Sequence, residues 1–299
     1  MTTLRTAFAV ALALTGLCHA ARADDAADAL AKQQSAVKAN LKAGKVTLAT
    51  AETADLIVSA PYPPERVTKL AAEVQKTYAA ALKTLKYEAK EDPVAGKLAV
   101  YVLTDPKAHK IFLLQAFKRA PRANAAIEMD LRGDTPQVVV SAGADAKPTE
   151  AISTALASRA VAAALLNVKA GTTTEGAGLP TWLEAGFGDA VALRAEGNAS
   201  KLAAHAVKVK ALAQKSRGAA LQLKVAYGET PLAEGELVTA SLVEYLAFGP
   251  DAAKFPAFLD GLKSVEGAEA PTAWVALTVA GWDATTIEAG WLRWVLTGR

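Results

Sequence analysis

The most informative segment of the sequence is Leu179–Ala190, which reads LPTWLEAGFGDA. The proline near its start can open a helix, because proline fits the first helical turn, where its missing N–H would be unpaired anyway. We expect this helix to span residues 181–194 and to end before Gly197. Residues four apart share one face of a helix, so Ala185 and Asp189 lie one turn apart on the same side. The segment therefore presents these two positions to a common neighbour.

This segment resembles the second active-site helix of the gluzincin zinc peptidases, in the secreted peptidase MA-like branch. The pattern of that family is a proline, then Trp-Leu-x-Glu-Gly, then a small or apolar pair and an acidic residue. The matching residues are Pro180, Trp182, Leu183, Gly186 and Asp189. The glutamate of the pattern would be the third zinc ligand, and Ala185 stands in its place. The resemblance further implies that Trp182 lies in the core between this helix and the helix it crosses.

The same resemblance places the zinc-binding helix of the family at residues 148–167. A catalytic zinc needs three protein ligands and an open position for water. The family supplies two ligands as histidines four residues apart, with a glutamate between them as general base. That motif falls on Arg159–Ala163, which reads RAVAA, so Arg159, Ala160 and Ala163 replace the first histidine, the glutamate and the second histidine. We therefore predict a lost zinc site, with no metal, no cofactor and no catalytic residue.

Two histidines occur beyond residue 23, His109 and His205, and no histidine lies between them. Moving the alignment therefore does not restore the motif. His109 is expected on the surface of a helix. His205 lies among Lys201, Lys208 and Lys210, which favours a solvated face, and the alternative is a replacement ligand or an anion-binding patch.

An ion pair is predicted where the metal would be. Arg159 lies in line with Leu156 and Ala163 on an apolar helix face, where a guanidinium is costly unless it is paired. The family keeps an acidic residue at the position of Asp189, where it orients the first histidine. Arginine presents a planar fork suited to a carboxylate, so we expect an Arg159–Asp189 ion pair. The alternative is that Arg159 extends to solvent and Asp189 faces water.

The fold class predicted from the order of apolar patterns is α+β, with a small mixed β-sheet packed on a mostly helical, gluzincin-like (peptidase MA-like) domain. Strands are expected at residues 53–59, 98–103, 126–131 and 137–141, and a short strand or extended loop at 221–225. Helices are expected at residues 65–85, 106–118, 148–167, 181–194, 200–215, 239–247, 254–263, 271–277 and 286–296.

The first 23 residues have the three parts of a secretory signal peptide. Arg5 supplies the positive charge, an apolar run covers residues 7–17, and residues 21–23 form an Ala-x-Ala cleavage site. The apolar run is too short to span a bilayer. We therefore expect an exported protein, periplasmic or extracellular, with no stable membrane anchor after cleavage.

The domain organisation expected from these patterns has four parts, of which the signal peptide, residues 1–23, is the first. Residues 24–49 are a linker or helix, residues 50–146 an N-terminal α/β subdomain of the peptidase-like unit, and residues 147–299 a helical subdomain with the degenerate active-site helices. The sequence has 33 basic and 30 acidic residues, and cleavage removes Arg5 and Arg22, which leaves 31 basic residues against 30 acidic ones. No nucleic-acid partner is expected from that balance. The one cysteine, Cys18, lies in the signal peptide, so no disulfide is expected in the mature chain.

The function expected from these observations is that of a non-catalytic binding or structural module. The partner class expected in the inherited cleft is a peptide or a protein, and Trp182 and Glu184 are candidate cleft residues. One alternative is a hydrolase with a non-zinc site, for which Asp130, Glu184 and Asp189 are the first carboxylates to test. The other is an unrelated helical exported protein.

Overall fold

The computed structural model describes residues 28–88, 91–94, 96–122, 125–141, 154–172, 179–215, 235–263, 271–283 and 286–298. These residues form one five-stranded mixed sheet and a larger number of helices. The predicted α+β class with mostly helical content is confirmed. The expected signal peptide and the segment 221–225 lie outside the described residues. Within the described residues, no helix is both long enough and apolar enough to cross a membrane.

The strands of the sheet are β1 (Ala49–Glu52), β2 (Leu56–Ala60), β3 (Leu98–Leu103), β4 (Ile127–Asp130) and β5 (Gln137–Ser141). Their order across the sheet is β1-β2-β3-β5-β4. The three central strands run parallel, and each edge strand is antiparallel to its neighbour. The last three predicted strands are confirmed to within a residue or two.

The first predicted strand, at residues 53–59, is wrong at its start. Residues 53–55 turn the chain, because the Thr53 N–H donates to the Leu56 carbonyl at 3.0 Å and the Leu56 N–H donates to the Thr53 hydroxyl at 3.1 Å. The strand β2 therefore begins at Leu56. The residues before the turn form the separate edge strand β1, which the sequence analysis missed.

The helices are α1 (28–43), α2 (Pro64–Thr84), α3 (Pro106–Ala116), α4 (Thr154–Lys169), α5 (Thr181–Ala195), α6 (Ala199–Lys215), α7 (Gly235–Phe248), α8 (Phe255–Asp260), α9 (Ala273–Val279) and α10 (Ile287–Thr297). A 3-10 turn at Ala252–Lys254 precedes α8. The predicted helices agree with these bounds to within a few residues wherever they are described. The part of the predicted helix 148–167 that precedes residue 154 lies outside the described residues.

The sheet is covered by helices on both faces. Successive side chains of a strand point to opposite faces, and β3 is buried along its whole length. The larger core contains Leu98, Val100 and Val102, and the smaller core contains Ala99, Tyr101 and Leu103. The larger core includes residues of α2 and α4, whereas the smaller one includes Val37 of α1 and Phe112 of α3. This double cover explains why the central strands are continuous apolar runs.

Helix α4 is the central helix of the structure. It contacts α2, α5, β3 and β5, and residues 160–167 are all buried. Four of these eight residues are alanine, and such small side chains let neighbouring backbones approach closely. One hydrophobic core therefore continues from the sheet through α4 to the last helix, α10.

Two glycines let α5 fit between α4 and α7. A Cβ added at Gly188 would lie 2.7 Å from the backbone oxygen of Arg159 on α4. A Cβ added at Gly186 would lie 2.8 Å from the backbone oxygen of Thr239 on α7. Both obstacles are backbone atoms, which cannot rotate away, so both sites need glycine. Gly186, the glycine of the two that belongs to the family-like pattern, thus has a packing role here.

We predict that Gly188→Ala destabilises the protein by about 1–3 kcal/mol, because the added methyl group overpacks the contact between α4 and α5. The measurement is the free energy of unfolding from urea denaturation. The matched control is Gly290→Ala in α10, where the three atoms nearest to the added Cβ belong to the end of the Tyr245 side chain, which can shift more easily than a backbone carbonyl. Helix propensity alone favours alanine by about 1 kcal/mol, so a stabilised Gly188→Ala protein would contradict the packing argument.

Candidate functional site

A cleft of about 400 Å³ opens where β4, α4 and α5 meet. Arg159 and Ala163 of α4 and Ala185 of α5 all line it. Three positions that the sequence analysis assigned to a degenerate zinc site are therefore brought together in one cleft. Ala160, the position of the missing glutamate, is fully buried and is not among the lining residues. Asp189 lines a different cavity, between α5, α6 and α7.

The expected ion pair joins α4 and α5. The Arg159 Nη2 lies 3.3 Å from the Asp189 Oδ2. The pair is not dry, because the side chains keep 21% and 40% of their surface exposed. Solvent screening leaves a pair of this kind only a small contribution to stability. It fixes the direction of the Arg159 guanidinium at the cleft more than it holds the fold together.

Trp182 of α5 belongs to the larger core, with 9% of its surface exposed. Its expected place in the core is confirmed. It is absent from the residues that line the cleft, so its role as a candidate cleft residue is not supported by its position.

Glu184 is the acidic residue of the cleft. Its Oε1 accepts a hydrogen bond of 2.8 Å from the Asn167 Nδ2. Burial raises the pKa of the Glu184 carboxyl, while this hydrogen bond and the nearby Arg122 guanidinium lower it in part. The protonated form is therefore favoured relative to an exposed glutamate. The carboxyl can serve as a hydrogen-bond donor or acceptor to a ligand in the cleft.

Asn167 is a buried polar hub that the sequence analysis did not identify. Its amide nitrogen also donates to the Ala163 carbonyl at 2.9 Å, and its amide oxygen accepts from the Thr172 hydroxyl at 2.8 Å. It thereby ties the end of α4 to α5 and to the chain that follows α4. The only sequence signal for Asn167 was its position as a polar residue after an apolar run. That signal alone does not distinguish an exposed helix end from a buried polar residue.

A second buried polar group lies on β4. Glu128 has no exposed surface, and its Oε2 lies 3.2 Å from the Arg119 Nη2 and 3.1 Å from the Arg122 Nε. The Arg122 backbone N–H also donates to Glu128 Oε1 at 2.6 Å. Arg122 lines the cleft, so this carboxylate holds one of the two cleft guanidinium groups in place. The sequence analysis missed this cluster because the four residues of β4 are too few to show by alternation that Glu128 points inwards.

Both predictions about the histidines are wrong. His109 is 6% exposed and not on the surface. Burial lowers its pKa, and the charge of Glu128 opposes that shift in part. His205 faces inwards from α6, with its Nε2 3.5 Å from the Oε2 of the buried Glu244. The neighbouring lysines of α6 are exposed as predicted, so the charge run describes the helix face but not its histidine.

The three carboxylates proposed for a non-zinc hydrolase do not form one site. Glu184 lines the cleft, Asp189 lines the other cavity, and Asp130 pairs with Arg132 at 3.4 Å. Among the described residues, no group of three or more His, Cys, Asp and Glu side chains is placed to hold a metal ion. The cleft instead combines Arg122, Arg159 and Glu184 with small apolar walls.

No family model, curated protein or solved structure matches the sequence.

We predict that Arg159 and Asp189 couple weakly. A double-mutant cycle with Arg159→Met and Asp189→Asn should give a coupling of about 0.2–1 kcal/mol, as for other partly exposed pairs. The coupling should shrink as salt is added, because exposed charges are screened. The measurement is urea denaturation of the four proteins at low and high salt. A salt-independent coupling of about 3 kcal/mol or more would instead be typical of a buried pair.

We predict that Glu184 lowers the free energy of unfolding by an amount that grows as the pH rises. Its raised pKa means that the folded protein binds more protons than the unfolded chain between the ordinary pKa and the raised one. The contribution of Glu184 to stability is therefore most favourable below this window and falls as the pH rises through it. Glu184→Gln cannot ionise, so its stability relative to the wild type should increase with pH.

The measurement for Glu184 is the difference in unfolding free energy between the two proteins, taken in a series from about pH 4 to about pH 8. The control is Glu196→Gln, which removes an acidic residue paired at the surface with Lys201. A difference between wild type and Glu184→Gln that stays constant over the series would show that Glu184 is not perturbed.

Proposed function

We propose that the protein is an exported, non-catalytic binding domain with a gluzincin-like (peptidase MA-like) fold whose zinc site has been lost. The observation that carries the proposal is the convergence of Arg159, Ala163 and Ala185 on one cleft. These are the positions where the family-like patterns would place two histidines and a glutamate. They present a guanidinium and two methyl groups, none of which ligates zinc.

The size and chemistry of the cleft support a binding role. Ligand pockets usually measure about 300–1,000 Å³ and combine apolar walls with a few polar groups. Here Ile127, Met129 and several alanines supply apolar surface, while Arg122, Arg159 and Glu184 supply charge and hydrogen bonds. Side chains of a peptide or a protein segment match this mixture, so we propose a partner of that class.

The alternative of a hydrolase rests on Glu184. A carboxyl group with a raised pKa keeps its proton to higher pH than an ordinary glutamate and can act as a general acid. A hydrolase of the paired-carboxylate type needs a second acidic group close by, and among the described residues that line the cleft Glu184 is the only acidic one. Binding without catalysis is therefore the better-supported proposal.

We predict that the mature protein contains no stoichiometric zinc and that a chelator leaves its melting temperature unchanged. A structural zinc contributes directly to folding and is lost on chelation. The measurements are elemental analysis of the purified protein and thermal unfolding with and without EDTA. Tightly held zinc at one equivalent would reject the proposal and direct attention to His109 and His205.

The binding role is tested by filling the cleft. Short peptides of varied sequence are screened against the wild type, and those that bind are measured again with Ala185→Trp, whose indole would occupy the cleft. We expect a loss of at least about tenfold in affinity, which corresponds to about 1.4 kcal/mol. The matched control is Val207→Trp, because that side chain is 67% exposed on α6 and is absent from the cleft lining.

The same peptides are examined by mass spectrometry for cleavage. Intact peptides whose binding depends on the cleft agree with the proposal. Cleavage that disappears in Glu184→Gln would establish the hydrolase instead. Binding that Ala185→Trp does not weaken would place the binding surface elsewhere.

A further inference from the structure

The strand β4 is an edge strand, and its outer side carries two backbone carbonyls. Ser141 donates from its N–H to the Ala126 carbonyl at 2.8 Å, so the Ala126 carbonyl faces β5. Carbonyl directions alternate along an antiparallel strand. The carbonyls of Ile127 and Met129 therefore face away from β5. Among the described residues, no strand pairs with this side of β4.

Both outward carbonyls are occupied by arginine side chains. The Arg122 Nη2 donates to the Ile127 carbonyl at 2.8 Å, and the Arg119 Nη2 donates to the Met129 carbonyl at 3.0 Å. These are the groups with which an added β-strand would pair. An open edge of this kind is a site for pairing with another chain, and proteins protect such edges with charged side chains.

The two arginines are held in place by Glu128, which lies on the same strand. Its carboxylate is fully buried and contacts both guanidinium groups. A buried carboxylate is costly unless it is paired and hydrogen-bonded, so moving either arginine away would leave this charge less compensated. The nearby His109 is buried with a lowered pKa, so at neutral pH it does not compete as a cation. The caps are therefore anchored and not merely resting on the edge.

We propose that Arg119 and Arg122, anchored on Glu128, close the β4 edge of the sheet to β-strand addition. Glu128 is the positioning residue of this lock, and the two guanidinium groups are the caps. The lock opposes pairing with any extended peptide and with the β4 strand of a second copy of the chain.

The lock also limits how the cleft can bind. Arg122 lines the cleft as well as capping β4, so a ligand there meets a guanidinium and not the strand carbonyls. A peptide partner would then be recognised through its side chains, with an acidic group opposite Arg122. This last step rests on the proposed binding function, whereas the closure of the edge does not.

The test replaces the lock as a unit. The variant Arg119→Ala/Arg122→Ala/Glu128→Val removes both caps together with the anchor. Removing the arginines alone would leave the buried charge of Glu128 without its partners. The single variant Arg122→Ala, which leaves Glu128 paired with Arg119, is the milder second form. The control is Arg132→Ala, which removes an arginine that pairs with Asp130 at the surface.

Two measurements report on the edge. Sedimentation velocity over a concentration series gives the self-association constant of each protein. Fluorescence anisotropy measures the binding of an extended strand, with a labelled peptide of residues 135–141 that contains β5 and the two residues before it. We expect both constants to rise at least tenfold in the triple variant and less in Arg122→Ala. Arg132→Ala should behave as the wild type.

Hydrogen exchange then localises the change, with slower exchange expected at residues 127–130 when the peptide is bound. The proposal is overturned if the wild type binds the peptide as tightly as the triple variant does. It is equally overturned if variants with native circular dichroism show unchanged constants. If the triple variant does not fold, Arg122→Ala decides by the same two measurements. If no peptide binds the cleft, or if Ala185→Trp binds peptides as well as Val207→Trp does, the proposed function is rejected. The conclusion about the β4 edge does not depend on that outcome.

Discussion

The close contact between α4 and α5 is the constraint on which the site depends. At Gly188 the backbones approach so closely that a single Cβ would meet the carbonyl of Arg159. This contact places Arg159 and Ala185 on the walls of one cleft and brings Asp189 within ion-pair distance of Arg159. On its other side, α5 meets α7 through a second glycine, Gly186. The helix that carries the family-like pattern is thus held from both sides by backbone contacts.

Buried polar groups define the two sides of the cleft. Asn167 connects α4 with α5 through Glu184, and Glu128 connects β4 with the arginines that precede it. A buried polar group that loses a partner costs free energy, typically about 1–3 kcal/mol. Each network therefore favours one arrangement of its side chains. Arg122 and Glu184 keep their positions in the cleft for this reason, although both border on solvent.

Much of the fold could be predicted from local patterns. The apolar run of β3 and the stripe of α2 are buried as their periods indicate, and the Arg159–Asp189 pair followed from the resemblance and from the cost of an unpaired charge. The edge strand β1 was missed because four residues of mixed polarity carry no period of their own. His205 was wrongly placed because its partner Glu244 lies far along the chain. Glu128 and Asn167 pair mostly with residues near them in sequence, but their burial depends on packing that a local pattern does not show. A polar residue in an apolar run has the same local signature whether it faces water or a buried partner.

The glycine contacts also have a consequence for how this chain can change over evolutionary time. Gly186 and Gly188 touch backbone, so almost any substitution there disturbs the arrangement of three helices. Arg159 and Ala185 instead project towards an open cleft, where a side chain can be exchanged without displacing a neighbour. Selection on folding therefore acts strongly on the glycines and weakly on the residues that would carry chemistry. The side chains that line such a cleft can change while the helices around it keep their arrangement.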